Sequence, residues 1–338
     1  MWISHQIKPF NEFWMNCALN QAYSIATSLE PSYKYGAYLN NYYYHHWFGG
    51  DEFQYFYHTM QTDFFDERKG TVVENFPLCS IIKELKPFYF KDPDHCKEEI
   101  VSMLREGKRF SLNVDLYYWI PGSVAYKSYH WNHYSLFTGY NEETDEFRVL
   151  EDDLNGYEEH TVPLARFEKA FFSSNSMIDS EKKQPHGYEY IFHSTIPPYR
   201  LEMDDVQRNA ARLAKELRAL VIFPEWNITI GKSELQYYTT YSLIGIHIII
   251  NRHHANERLV ESLRLFDYIS DREQAELLEQ IRAVKAGWSG IRDLFYTAPR
   301  KGQFDQAESC AAIYSLWNLE ADFWAAIASL RQIQIEAS

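Results

Sequence analysis

Cysteine is scarce in this chain. There are four in 338 residues, Cys17, Cys79, Cys96 and Cys310, and no two form a CxxC pair. That excludes a disulfide framework and a cysteine-based zinc site read from spacing. It fits a reducing, cytoplasmic setting in which thiols stay free. Basic runs are absent as well. Lys and Arg number 33 against 47 Asp and Glu, for a net charge of −14. A nucleic-acid partner is therefore not expected, because phosphate binding needs a local Lys/Arg footprint. Long apolar runs are missing too. The longest, "YSLIGIHIII" from Tyr241 to Ile250, is about half a membrane span and contains His247. The N-terminal "MWISHQIKPFNEF" lacks a basic segment followed by an apolar core, so no signal peptide and no membrane association are expected.

Aromatic residues are plentiful: 26 Tyr and 22 Phe, many of them between Tyr33 and Tyr57. They fill sheets and interfaces or line a groove. At roughly 150 residues per domain the length suggests about two domains. The character changes near "HSTIPPYRLEMDD", where Pro197-Pro198 can continue neither a helix nor a central strand. Residues 1–198 mix short strands and helices. Residues 199–338 read as an all-helical bundle, with capping boxes at Ser233/Gln236 and Ser270/Glu273. The bundle offers no catalytic constellation. Its Arg208, Arg212, Lys215 and Arg218 lie roughly on one helix face and form either a solvated face or a local basic patch. The fold class expected is α+β: an antiparallel sheet domain followed by a helical one.

In "FWMNCALN", Cys17 precedes apolar positions Ala18, Leu19, Ala22, Ile25, Ala26 and Leu29, spaced as one buried helix face. Asn11 and Asn16 stand near the helix start, where asparagine favours a cap. A thiol in a first helical turn meets unpaired N–H groups and the positive end of the dipole. There its pKa should fall, and the same N–H groups can receive an oxyanion. The alternative is a small buried hydrophobe, the usual use of a free cysteine. A second helix is expected from Pro93 to Arg105 with Asp92 as its N-cap.

A nucleophile needs a base and a group that orients the base. "RFSLNVDLYYWI", "HYSLFTGY" and "EFRVLED" read as strands. A hairpin turning at Glu142-Glu143 sets His133 opposite Asp152, and a turn shifted by half a residue sets it opposite Asp153. His130 and His133 form an HxxH, but on a strand such positions point to opposite faces, so no metal site is expected. The doublets His45-His46 and His253-His254 are read as surface or packing residues.

The order of a Cys at a helix start, "LREGKRFSLNVDLYYWIP" and "HWNHYSLFTGYNEETDEFRVLEDD" resembles the papain-like cysteine fold. Within that fold it is similar to the acyltransferases related to butirosin biosynthesis protein H, and it shares strands with peptidases that cut double-glycine leaders. The resemblance covers roughly residues 10 to 195. It implies Cys17 as nucleophile, His133 as base and Asp152 as orienting carboxylate. Asn11, Asn16, Asp115 and Tyr117 become candidates for oxyanion and substrate contacts, with Gln6 farther off. It implies no cofactor. The activity implied is transfer of an acyl group from a donor such as an acyl or peptidyl carrier-protein thioester, through an acyl-enzyme, to a small-molecule or peptide amine or alcohol, as in natural-product assembly. The alternatives are a thiol hydrolase or peptidase on the same triad, and a non-catalytic binding or scaffold protein.

Overall fold

The computed structural model describes residues 2–39, 76–179, 184–220, 232–301 and 306–330, with four two-residue strands at 48–49, 54–55, 65–66 and 71–72. The elements run β1 (Trp2–Ser4), α1 (Cys17–Leu29), α2 (Lys34–Tyr38), β2 (Phe48–Gly49), β3 (Gln54–Tyr55), β4 (Phe65–Asp66), β5 (Thr71–Val72) and β6 (Ile82–Phe88). They continue α3 (Cys96–Arg105), β7 (Arg109–Asp115), β8 (Asn132–Asn141), β9 (Glu146–Asp153), β10 (Gly156–Pro163), α4 (Leu164–Phe172), α5 (Asn175–Ile178) and β11 (Gly187–Phe192). Four helices end the chain: α6 (Met203–Ala219), α7 (Lys232–Leu265), α8 (Asp271–Lys301) and α9 (Gln306–Ala328). The architecture is α+β with an antiparallel sheet. No helix among the described residues is long and apolar enough to cross a membrane.

The chain divides into two compact units, Met1–Lys34 with Thr62–Tyr199, and Tyr35–Gln61 with Arg200–Ser338. The later boundary falls beside Pro197-Pro198. The segment 35–61 corrects the expected division, because it leaves the first unit and joins the second. Its physical reason lies in two contacts: the Tyr35 ring meets Phe266 edge-on at 4.9 Å, and Asn209 Nδ2 donates to the Leu39 carbonyl at 2.8 Å. Much of the tyrosine-rich stretch, His45-His46 included, lies outside the described residues.

In the first unit the sheet runs β10-β9-β8-β7-β11-β6, with β1 joined to β8, and every pairing is antiparallel. Alternate residues Phe110, Leu112 and Val114 of β7, with Phe137, Phe147 and Val149, pack against Ile100 and Leu104 of α3 and Phe167 and Phe171 of α4. Ser111, Asn113, Leu136 and Leu150, between them in sequence, are buried as well. Strands buried on both faces lose the clean in-out alternation that the sequence pattern relies on. Helix α1 packs against β8 and β9.

One irregularity sets the site. Near the hairpin turn, Asn141 pairs with Glu146 and Gly139 with Arg148, but beyond a bulge at Thr138, Phe137 pairs with Val149 and Leu136 with Leu150. The extra residue moves the register by one. Gly139 lets β1 approach there, since a Cβ at this position would lie 2.9 Å from the Ile3 carbonyl oxygen.

The helical unit is not all-helical, as β2 and β3 form a short hairpin within it. The Ser270 box forms as expected: Ser270 N donates to Glu273 Oε2 at 2.8 Å, and Glu273 N donates to Ser270 Oγ at 3.3 Å. The side chains of Ser233 and Gln236 lie outside the described residues, and α7 begins at Lys232. On α6, Arg208 pairs with Asp205 at 2.9 Å, Arg212 with Glu216 at 3.0 Å and Arg218 with Asp322 at 3.3 Å. These arginines therefore present less free positive charge than the sequence spacing suggests.

Candidate active site

Helix α1 is anchored at its N-terminus by its own polar residues. Asn16, with extended backbone, is the N-cap and accepts from Leu19 N at 2.8 Å. Such a cap contributes about 1 kcal/mol and fixes where the helix begins. One turn on, Asn20 accepts from Met15 N at 2.9 Å and donates to the Phe10 carbonyl at 2.9 Å, while Ser24 Oγ accepts from Phe10 N at 2.8 Å. The loop ahead of the helix is thereby tied to the helix that follows. Gln21 bonds the Tyr134 carbonyl and accepts from the Tyr190 hydroxyl at 3.0 Å, which ties α1 to β8 and β11. Cys17, half-buried, is left in the first turn beside the strand that carries His133.

Cys17 Sγ lies 3.2 Å from His133 Nδ1. On the other side of the ring, His133 Nε2 lies 2.6 Å from Glu151 Oε2. The carboxylate oriented toward the base is therefore Glu151 and not Asp152. The bulge at Thr138 is the cause. In the shifted register His133, Ser135 and Phe137 share a sheet face with Val149 and Glu151, while Asp152 belongs to the other face. Glu151 is held in turn. It accepts from Trp119 Nε1 at 3.2 Å through Oε2, and its Oε1 accepts from Asp152 N at 2.9 Å. The same indole is 3.1 Å from Ser135 Oγ, and both Trp119 and Ser135 are fully buried.

Asp152 is displaced from the histidine but not from the site. Its Oδ2 sits 3.8 Å from Cys17 Sγ, and the Trp14 indole donates to its carboxylate. Asn16 Nδ2 is buried without a hydrogen-bond partner, one residue before the thiol. That amide is a candidate oxyanion donor. Asn11 is exposed in the loop before α1. Gln6 is exposed at the start of the same loop. Asp115 and Tyr117 are engaged elsewhere. Asp115 Oδ2 takes His130 Nδ1 at 2.6 Å, its Oδ1 accepts from Tyr117 N at 3.1 Å, and the Tyr117 ring stacks on His130 at 4.4 Å. This cluster closes the turn after β7, and it shows how His130 and His133 part company: one serves a turn, the other faces the thiol.

The electrostatics follow from burial and neighbours. Burial alone would keep the His133 ring neutral. The Glu151 carboxylate and the adjoining sulfur outweigh it and lift its pKa well above the ordinary imidazole value. Burial raises the Cys17 thiol, and the Asp152 and Glu151 charges add to that, against the lowering effect of His133. The lowered thiol pKa expected from the helix N-terminus is thus corrected: desolvation, with the Asp152 and Glu151 charges, raises it. Asp152 is raised to about 6 by burial and by the charge on Glu151, opposed by Trp14 and His133. Elsewhere Cys96 is buried and raised to about 12, and Cys79 is exposed.

The sequence pattern did not point to Glu151, Trp119 or Trp14. Glu151 stands beside the two aspartates it offered, and only the bulge selects it. No group of acidic, histidine or cysteine residues among the described ones could hold a metal ion. No protein-family model matches the chain, and no curated protein matches it.

Proposed function

We propose that the chain is a cysteine acyltransferase with a papain-like first domain, in which Cys17, His133 and Glu151 act as one unit. The observation that carries this reading is the continuous line from Cys17 Sγ to His133 Nδ1 at 3.2 Å and from His133 Nε2 to Glu151 Oε2 at 2.6 Å. A nucleophile, a base and an orienting carboxylate in hydrogen-bond series are what nucleophilic catalysis requires. Glu151 fixes the tautomer with the proton on Nε2, so Nδ1 turns its lone pair to the thiol. His133 takes the thiol proton as Sγ attacks the carbonyl carbon of a thioester or ester. Glu151 stabilises the imidazolium that results. The ring then protonates the departing thiol or alcohol, leaving the acyl group on Cys17. Asn16 Nδ2 and the N–H groups of the first turn of α1 are the donors for the developing oxyanion.

The acyl donor proposed is a thioester such as that of an acyl or peptidyl carrier protein. The acceptor is an amine or alcohol of a small molecule or peptide, in a reducing cytoplasmic setting and in a natural-product pathway. The later helices serve as a separate helical domain without catalytic groups. Intact-mass measurement after incubation with a panel of acyl thioesters tests the reading. The expected result is one added acyl group at Cys17, absent in Cys17→Ala. A native protein that gains no acyl group from any member of the panel would contradict it.

A further inference from the structure

We propose that a cavity at the C-terminal end of α1 binds a small carboxylate with an apolar body, held by Arg109, Gln6 and Ser28. The cavity measures about 260 Å³ and lies in the first unit, between the segment after β1, the last turns of α1 and the start of β7. It is a second site. Ser28 and Leu29 in its wall are 11 and 12 residues beyond Cys17, which at 1.5 Å per residue is about 16–18 Å along the helix. The proposal therefore does not depend on the acyl-enzyme reading.

The lining holds donors that lack acceptors. Arg109, the first residue of β7, is half-buried. Its guanidinium meets the Phe192 ring at 5.5 Å and, among the described residues, no carboxylate and no hydrogen-bond acceptor. Burial pushes its pKa down, and no neighbouring charge offsets that. The Gln6 side-chain amide is exposed and likewise makes no hydrogen bond among the described residues. Ser28 Oγ accepts from Lys8 N at 2.9 Å, and its own proton goes to no acceptor among them. His5 is occupied: its Nε2 donates to the Leu104 carbonyl at 3.0 Å, and burial lowers its pKa, so the ring is neutral. No Asp or Glu lines the cavity. Arg109 is thus the one charge in the described lining, and it is unpaired.

One cation, two further donors and no acid select an anion over an amine. The planar guanidinium fork matches a carboxylate with two parallel hydrogen bonds. The walls select the rest of the ligand. Ile7 and Ile25 are buried, and Leu29 is half-buried beside them. An apolar body covers this surface and gains by leaving water, which a fully hydrated ion such as inorganic phosphate does not. The volume lies just under the roughly 300 Å³ at which pockets for drug-sized ligands begin, so the body is about one ring in size. The C-terminal end of α1 disfavours an anion, but its partial charge is about half a unit, against the whole charge of Arg109.

Ligand-observed NMR titration of the full-length chain with sodium benzoate tests the proposal. Native protein should bind benzoate saturably, in the millimolar range or tighter. Benzamide, of the same shape without the charge, and inorganic phosphate, of the same sign without the ring, should each compete at least about 10-fold less well than benzoate itself. Arg109→Gln should weaken benzoate at least about 10-fold. Gln6→Glu, at an exposed position, sets a competing carboxylate beside the guanidinium and should weaken it as much. Lys108→Gln, one residue from Arg109 and outside the cavity lining, should bind as native protein does. Absence of saturable binding to native protein overturns the proposal, as does native affinity in folded Arg109→Gln. So does benzamide or phosphate competing as well as benzoate, or Lys108→Gln losing as much affinity as Arg109→Gln. If Arg109→Gln fails to fold, Gln6→Glu decides: native affinity there overturns the proposal equally.

Discussion

Two histidines, the half-buried His133 in the first unit and the buried His253 in the second, each face a buried carboxylate and behave oppositely. His133 lies 2.6 Å from Glu151, and His253 lies 3.7 Å from Glu320. Both carboxylates are almost fully buried. Yet His133 is raised well above the ordinary imidazole value, while His253 is lowered well below it. Burial pushes both down. At His133 the Glu151 charge outweighs it. At His253 the cations Arg252 and Lys285 add to it, and Glu320 is already committed to Arg252 at 3.0 Å. A buried His–Glu pair is therefore not in itself an acid–base site. What separates them is the group at Nδ1: the Cys17 sulfur at 3.2 Å from His133, and the Asn256 amide at 3.1 Å from His253.

The largest effect expected is from His133→Ala. Single-turnover acylation of Cys17 should fall by about 10²–10⁴-fold, the usual worth of general base catalysis, with the circular dichroism spectrum unchanged. Next comes Glu151→Gln, which keeps a hydrogen-bond acceptor but removes the charge that lifts His133. Acylation should drop by about 10–100-fold, and its pH profile should move to lower pH as the ring pKa falls. Its counterpart in the helical unit, His253→Gln, should leave acylation untouched. A variant of His253 that lowered acylation as much as Glu151→Gln would break the contrast between the two pairs.

Smaller effects appear in stability against pH. Asp152 is raised in the folded chain to about 6 from an ordinary value near 4, so the folded state binds the proton more tightly. Stability then falls as pH rises between those values, and the penalty is complete above pH 6. Asp152→Asn should raise the melting temperature at pH 8, by the equivalent of at most about 3 kcal/mol, and change little at pH 4. His253 shows the other sign. Its pKa is depressed in the fold, so the unfolded chain takes up a proton that the folded chain refuses below about pH 6.5. His253→Gln should flatten the loss of melting temperature between pH 7 and 5. The smallest change is Trp119→Phe, which removes one donor from Glu151 and should slow acylation severalfold.

Much of the fold was legible from local chemistry. The start of α1 follows from Asn16 and from the spacing of Leu19, Ala22 and Ile25, and the Ser270 box marks α8. Cys17 and His133 could be paired because a helix start and a strand start each leave one reactive side chain at an end. The identity of the carboxylate was not legible. Asp152, Asp153 and Glu151 are adjacent acids, and the choice depends on one extra residue in β8 at Thr138, a position with no bulge signal of its own. The thiol pKa was misjudged for a related reason. The helix start is local and readable, but the burial of the thiol and the carboxylates beside it, which come from β9, are not. The assignment of residues 35–61 to the helical unit likewise depends on contacts 170 or more residues away, such as that of Asn209 with Leu39.

The account stands most directly on which carboxylate serves the base. Single-turnover acylation of Cys17 by one acyl thioester, measured in Glu151→Gln and Asp152→Asn side by side near neutral pH, decides it. The account predicts acylation at least about 10-fold slower in Glu151→Gln and at the native rate or faster in Asp152→Asn, since the latter loses a charge that holds the thiol up. Slow acylation in Asp152→Asn beside native acylation in Glu151→Gln would contradict it.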